Sequence, residues 1–587
     1  MSGFEFDVLI VGSGFGGSVS ALRLAEQGLK VAVLEQGRRT TEADLERAGQ
    51  DARALAWAPS LGRYGFLAQD VYRHLGVVRG IGVGGGSLVY AAVLLEPGQR
   101  FYQDPAWASL SADWAAELAP HYATARRMLG VAVNPYRGVQ DSWLEQTAQR
   151  MGAAHTFGSV PQGIYFGDPD RFTGDPLLGG QGPARRGCNL CGRCITGCSH
   201  GAKNSLDHNY LYLAEQLGVR VIPETQVTHI EPAGEGYRVH RRHPWKREAQ
   251  APLSARRVIL SAGVIGTLQI LFASRDRYRT LPRISRALGE HVRTNSEAIV
   301  SILSRDATLD VSRGTTISTH FHADEKTHIT QNRFPASYAF MRFYMGPLVD
   351  GERPLRRALA VLGEFIRRPI QATAAWRAKG WHRRVSVLTV MQQADNELRF
   401  VYRRSLLRGG RRSLVSQEAV GVRAPSYIAR ANEAARIFAE VSQGDAQNVL
   451  PESLGNLSVT AHLLGGAVMA EDSARGVVDG DHQVHGYSGL YVVDGSAVPV
   501  NVGVNPSLTI TALAERFASR FREALPNCEA TFVIKLQKSV DARNGRPIMR
   551  PTSSAELLKT PCESMSWMFG SGLGCSLEEA GCWLRRG

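Results

Sequence analysis

Residues 7–11 form a continuous apolar run, the pattern of a parallel strand covered on both faces, and the turn Gly12-Ser13-Gly14-Phe15-Gly16-Gly17 follows at once. Residues 18–27 then read as a helix, with Ala21, Leu22, Leu24 and Ala25 available for packing and Gly28 closing its C-terminus. A second apolar strand at 31–34 ends at Glu35. Similar runs at 257–260 and 490–493 lead into Ser261-Ala262-Gly263 and Asp494-Gly495, and predict further strands of the same sheet. Between 300 and 459 the pattern changes to alternating segments such as 385–391, which predicts a second domain. Residues 506–520 read as a helix with Asn505 as cap, Pro506 at the first position and Leu508, Ala512, Leu513 and Phe517 as its apolar stripe. Beyond about 527 periodicity weakens, and an appendage of unassigned role is expected.

The order strand, glycine turn, helix, strand, acid predicts a dinucleotide site. Gly12 permits the tight turn, Gly14 lets backbone approach a pyrophosphate, and Gly17 allows helix and strand to close together. Phosphates would sit at the helix N-terminus, and Glu35 would accept from the adenosine ribose. FAD and NAD both fit this first turn. A second cluster, Gly80-Ile81-Gly82-Val83-Gly84-Gly85-Gly86-Ser87, offers more exposed backbone. An extended ligand gripped twice points to a flavin dinucleotide.

Composition narrows the classes. A chain of 587 residues with 44% apolar residues buries a sizeable core and divides into at least two domains, which excludes a disordered tail or a small disulfide scaffold. No run of 18 apolar residues occurs, and no basic-then-apolar leader precedes the first strand, so a cytoplasmic protein without signal peptide or transmembrane helix is expected. The net charge of +14 permits attraction to polyanions, but no nucleic-acid recognition motif accompanies it. One basic stretch is patterned. Residues 353–384 carry nine Lys/Arg against Glu364, with Leu355, Leu359, Leu362, Ile366 and Ile370 near helical spacing, as in a helix lying on an anionic bilayer. A solvated charged face fits the same pattern.

Four of the eight cysteines crowd into Cys188-x₂-Cys191-x₂-Cys194-x₃-Cys198, the spacing of a bacterial ferredoxin run. An iron–sulfur cluster and reduced structural thiols are both consistent with it. Ser199 stands where the usual Pro would follow, and there is no second run.

Four collinear pieces resemble the GMC (glucose–methanol–choline) family of FAD oxidoreductases, in its cholesterol oxidase-like branch. They are Val11-Gly12-Ser13-Gly14-Phe15-Gly16-Gly17-Ser18, Gly82-Val83-Gly84-Gly85-Gly86-Ser87-Leu88-Val89, Ala461-His462-Leu463-Leu464-Gly465-Gly466 and the C-terminal signature at 490–516. The resemblance implies an α/β protein. A discontinuous Rossmann-like FAD-binding domain (1–38, 74–130, 200–300, 475–526) would carry an inserted α+β substrate-binding domain on a mixed or antiparallel sheet (lid segment 39–73, then 131–199 with the cysteine run, then 301–474), before the appendage 527–587.

The resemblance makes His462 and Asn505 the catalytic pair. It places Gly12, Ser13, Gly14, Phe15, Gly16, Gly17, Glu35, Gly84, Gly85, Gly86, Ser87, Val227, Ala262, Gly263, Asp494, Gly495, Asn505 and Pro506 on FAD. Moving a hydride from an alcohol carbon requires a base within reach of the hydroxyl proton, which suits His462, while Asn505 can donate to the same oxygen. No His occupies the stretch immediately after Ser87, where some family members attach the flavin, so the resemblance implies FAD without a covalent bond. Tyr90 and Leu463 depart from residues common in sterol oxidases, and no residue matches the Glu those enzymes use for isomerisation. Glu364 and Glu397 are candidates by elimination. His291, His320 and His322 read as ordinary surface or core residues.

The expected activity is FAD-dependent oxidation of a hydrophobic alcohol, a 3-hydroxysteroid first, with oxygen or another electron acceptor. An iron–sulfur-assisted dehydrogenase and a non-catalytic lipid-binding flavoprotein are the alternatives.

Overall fold

The computed structural model describes residues 3–404, 410, 412–419 and 424–521, and the backbone of two strands beyond them. It divides into a unit spanning Met1–Phe521 and another spanning Arg522–Gly587. Of the second unit, the described part is an antiparallel pair, Leu536–Val540 with Pro547–Pro551. Cys528, Cys562, Cys575 and Cys582 lie outside the described residues.

The first unit is built on two seven-stranded sheets. In one, Arg220–Ile222, Val31–Leu34, Phe6–Val11 and the C-terminal half of Ala249–Leu260 run parallel, and Leu490–Val492 joins the far side of Ala249–Leu260. The first half of that long strand instead pairs antiparallel with Gly236–Arg242, which pairs with Gln226–Ala233. The parallel strands are apolar throughout because both their faces are covered: Val8, Leu9 and Ile10 are wholly buried. The helix Phe15–Glu26 packs on them, and the helix Ser507–Arg520 packs on that helix.

The other sheet is antiparallel, in the order Met345–Pro347, Gly444–Val449, Glu297–Ser304, Val385–Gln392, Thr327–Asn332, Ile317–Asp324, Gly158–Ser159. Strand alternation sorts its side chains. Val300, Ile302, Leu388 and Val390 pack with Phe438 and Ala434 of the helix Ala429–Val441. Their neighbours Glu297, Ile299, Thr389 and Met391 face the opposite way, into a cavity.

A mixed α/β chain with a Rossmann-like parallel sheet and a second, antiparallel sheet is therefore the architecture. The final helix differs by one residue from expectation. It begins at Ser507 with Pro506 as the flanking residue, and Asn505 does not cap it. The basic stretch folds as the helix Pro354–Arg367 followed by short turns, because Pro369 starts a new segment.

Candidate active site

A cavity of about 1120 Å³ lies between the carboxyl ends of the parallel strands and the open face of the antiparallel sheet. It exceeds the ~300–1,000 Å³ usual for one small ligand, so it has room for an extended cofactor and a substrate together. The strand ends deliver Gly12, Ser13, Gly14, Phe15, Gly16, Glu35, Val227, Ala262, Gly263, Asp494 and Gly495 to its wall, as expected where an open α/β sheet binds ligands. Gly85, Gly86, Asn505 and Pro506 line it as well. Gly17, Gly84 and Ser87 do not. Gly17 packs on Gly12, where a Cβ would stand 2.0 Å from the Gly12 carbonyl oxygen. The Gly84 N–H donates to Ser13 Oγ at 3.0 Å, and Ser87 Oγ–H donates to the Gly84 carbonyl at 2.6 Å. These three shape the wall from behind.

The first turn has the form of a cradle. A Cβ on Gly12, whose φ is +102°, would stand 2.2 Å from the Ser261 carbonyl oxygen, and one on Gly16 would stand 1.7 Å from that of Val493. A Cβ on Gly14 would meet nothing within 4 Å. Gly12 and Gly16 are thus required by the protein's own packing, whereas the space above Gly14 is left for something else. The helix Phe15–Glu26 starts there with no acidic residue in its first turn, so its N–H groups and dipole favour an anion.

Glu35 is buried at the same wall. Its Oε2 accepts from Ser13 N–H (3.1 Å) and Ser13 Oγ–H (2.7 Å), and its Oε1 accepts from Gly37 N–H (2.8 Å). Burial pushes this carboxyl above its usual range despite those bonds. Ser13 thereby ties the first glycine turn to the second. Asp494 is likewise pushed up by burial and accepts from Thr267 Oγ–H (2.6 Å) and Ser496 N–H (2.8 Å).

Where the two sheets meet, three side chains from distant segments align. His462 follows the strand Ser458–Thr460 and has its backbone N–H bonded to Thr460 Oγ1 at 2.8 Å. Its Nδ1 contacts Glu297 Oε1, and Glu297 Oε2 also accepts from Ala461 N–H at 3.2 Å. On the other side of the ring, Asn505 Nδ2 stands 3.2 Å from Nε2. If the amide donates to Nε2, the ring proton sits on Nδ1 and is held by Glu297. Nε2 then carries a lone pair at the cavity wall. The buried Asn505 Oδ1 has no partner, so a further hydrogen-bonding group is expected beside it.

Glu297 escaped the sequence reading, and neither acid named by elimination is here: Glu364 pairs with Arg367 on the outer helix, and Glu397 with His291. Parity is the signal that could have found it. Glu297 and Ile299 share one face of a strand whose other face carries Ala298 and Val300 into a helix-covered core.

The cysteine run borders the cavity without forming a single-ion site. Ile195 lines the wall, and Lys203 Nζ donates to the Cys194 carbonyl (2.7 Å) and the Leu88 carbonyl (2.9 Å). Cys194 is buried among Ala92, Ile164 and Ala202, while Cys191 is exposed. Among the described residues no three of the four sulfurs fall within the 4.8 Å that groups one metal ion.

Family models assign residues 7–329 to the FAD-dependent oxidoreductases and residues 407–514 to the GMC oxidoreductase C-terminal region. A cholesterol oxidase of Mycobacterium tuberculosis is 41% identical over 529 residues, covering 88% of this chain and 91% of that protein. The chain belongs to the GMC oxidoreductases. Another cholesterol oxidase, from Acinetobacter baumannii, is 37% identical over 88% of this chain and 95% of its own. The solved pyridoxine 4-oxidase from Mesorbium loti shares the fold at a TM-score of 0.57 and 15% identity, covering 88% of this chain and 99% of that one. As a GMC oxidoreductase the protein is an FAD-dependent enzyme acting on CH–OH donors. The vacant approach to Gly14, the acid-free helix start and the buried Glu35 carboxyl fit the diphosphate and ribose of FAD.

Proposed function

We propose that the protein oxidises the secondary hydroxyl of a sterol-like alcohol, with oxygen as the final electron acceptor and peroxide as the second product. The alignment Glu297–His462–Asn505 at the junction of the two sheets carries this reading. Gly12, Ser13, Gly14, Phe15, Gly16 and Glu35 would hold the adenosine and diphosphate half of FAD. Gly85, Gly86, Val227, Ala262, Gly263, Asp494, Gly495 and Pro506 would hold the remainder. When bound, FAD supplies the acceptor for the hydride that leaves the alcohol carbon.

The chain's own residues do the rest. A substrate hydroxyl placed between His462 and Asn505 donates its proton to Nε2 and accepts from the Asn505 amide, which fixes the carbinol C–H toward the cofactor. Loss of hydride from carbon and of the proton to His462 leaves the ketone. Glu297 keeps Nδ1 protonated and stabilises the imidazolium that forms. The N-terminus of the helix Ser507–Arg520, with no acid in its first turn, faces the same space and favours negative charge there by ~0.3–1 kcal/mol. Ile299, Ile317, Met391 and Leu463 give the substrate side an apolar lining suited to a hydrocarbon skeleton. The purified protein should bleach under anaerobic conditions with cholesterol, should not bleach with sugars, and should release peroxide in air. A dye-coupled reaction without peroxide would favour the dehydrogenase alternative.

An exposed surface supports a substrate drawn from a membrane. On the helix Pro354–Arg367, Leu355 is 74% and Ile366 81% exposed, with Leu359 and Leu362 beside them and Ile370 just beyond. Arg353, Arg356, Arg367 and Arg368 flank these residues. Aliphatic side chains gathered on one water-facing stripe with a basic rim match a helix seated in an anionic bilayer boundary. In the turn Ala336–Tyr344, Tyr338 lines the cavity wall, while Phe343 and Tyr344 are exposed.

A further inference from the structure

His320 and His322 stand two apart on the strand Ile317–Asp324, and His328 stands on the neighbouring strand, directly opposite His322. Period-two alternation puts all three on one face, away from Phe321 and Ile329, which point into the helix-covered core. That face is the one from which Thr330 and Met391 line the substrate cavity, and Met391 is opposite His328 on the next strand. One ring nitrogen from each histidine lies within 4.8 Å of the others. Among the described residues, no other three His, Cys, Asp or Glu side chains bring their ligand atoms this close together.

Ordinary core packing does not explain the arrangement well. His328 is 1% exposed, and its Nδ1 has no hydrogen-bond partner. Its Nε2 is 2.8 Å from His320 Nδ1, so the two rings share one proton. His322 stacks on His328 with centroids 4.7 Å apart. A cation in place of the shared proton would engage both lone pairs at once, with His322 as a third donor. An His-x-His pair with a cross-strand His presents three imidazoles to one point and leaves a fourth position open. Tetrahedral zinc at ~2.0–2.1 Å from each nitrogen sets neighbouring ligands about 3.3 Å apart. Reaching that spacing from within 4.8 Å requires rotation of the His320 and His322 side chains, both half-buried.

We propose that His320, His322 and His328 form a binding site for a late first-row divalent cation, Zn²⁺ foremost, on the cavity face of the antiparallel sheet. Imidazole ligands suit Zn²⁺, Cu²⁺ and Ni²⁺ better than Mg²⁺ or Ca²⁺. The site has a consequence that rests on the reading of His462 as the base. A divalent charge on this face would oppose the positive charge that develops on the His462 ring as it takes the hydroxyl proton, and so slow alcohol oxidation.

The test uses the FAD-loaded protein without a polyhistidine tag, stripped with chelator and titrated with Zn²⁺ and with Co²⁺. Wild type should take up one equivalent, with cobalt d–d bands to the red of the flavin and no thiolate charge-transfer band. His322→Gln and His320→Gln, both at half-buried positions, should each weaken uptake by more than about 100-fold, beyond the ~10–100-fold typical of outer-shell changes. Cys191→Ser should leave uptake unchanged. Binding that survives His322→Gln, binding lost in Cys191→Ser, a thiolate band in the cobalt spectrum or no stoichiometric uptake would each overturn the proposal. These readouts need no turnover, so they stand apart from the fate of the sterol oxidase reading. Inhibition by Zn²⁺ that is absent in His322→Gln would connect the two.

Discussion

Glu297 meets Nδ1 of His462 from 165 residues away in sequence, and the two are joined only where the antiparallel sheet abuts the strand Ser458–Thr460. If this contact fixes the tautomer, Glu297→Gln should lower kcat with little change in KM or FAD content. His462→Gln should cost about 10²–10⁴-fold, the range of a positioned general base. Steady-state kinetics on protein of measured flavin content checks both. A Glu297→Gln enzyme with wild-type kcat would remove the carboxylate from the mechanism.

Gly14 offers a separation of folding from cofactor binding. Since a Cβ there meets nothing, Gly14→Leu should fold normally and melt like the cofactor-free wild type, yet fill the space assigned to the diphosphate. The expected product is colourless protein with an unchanged circular dichroism spectrum. Gly12→Ala, which drives a methyl into the Ser261 carbonyl, should instead lose stability with or without cofactor.

FAD should leave the protein on acid precipitation. Among the described residues lining the cavity, His462 is the one histidine and no cysteine is present. Yellow colour in the supernatant is the expected result, and colour retained in the washed pellet would show a covalent link.

Glu452 sets a pH dependence of stability. It is buried, its carboxylate oxygens accept from Ile299 N–H at 3.4 Å, and burial, together with the nearby Glu297, holds its proton affinity well above normal. The folded state then binds a proton that the unfolded state releases near pH ~4.3. Its contribution to stability is present below that pH and is lost as pH rises toward the raised folded value. Glu452→Gln should therefore gain melting temperature over wild type at pH 8 and little at pH 4. An equal shift at both would refute the linkage.

Replacing Leu355, Leu359 and Ile366 together by Gln should reduce co-sedimentation with anionic vesicles by more than about tenfold, since each buried aliphatic is worth ~1.5–3 kcal/mol. Turnover of detergent-solubilised sterol should persist. Equal vesicle binding by the variant would leave these residues as a solvated face.

What the sequence disclosed follows from the range of each interaction. The first turn and Glu35 were legible because strand, glycines, helix and acid are contiguous, and each residue answers to its neighbours. The outer amphipathic helix was legible for the same reason, since its stripe repeats within two turns. Glu297 was not, nor was the grouping of His320, His322 and His328, because each depends on which face of a strand looks into the cavity. That face is decided by a distant helix, Ala429–Val441, covering the other one. Asn505 was read as a helix cap from local grammar, but its amide is turned toward His462 instead.

The cavity wall draws on residues from Val11 to Ile510. A nascent chain can make its glycine turn within the first few dozen residues, yet the last piece of wall emerges from the ribosome only near the close of this unit. The cofactor's pocket is thus complete only once both ends of this unit are in place.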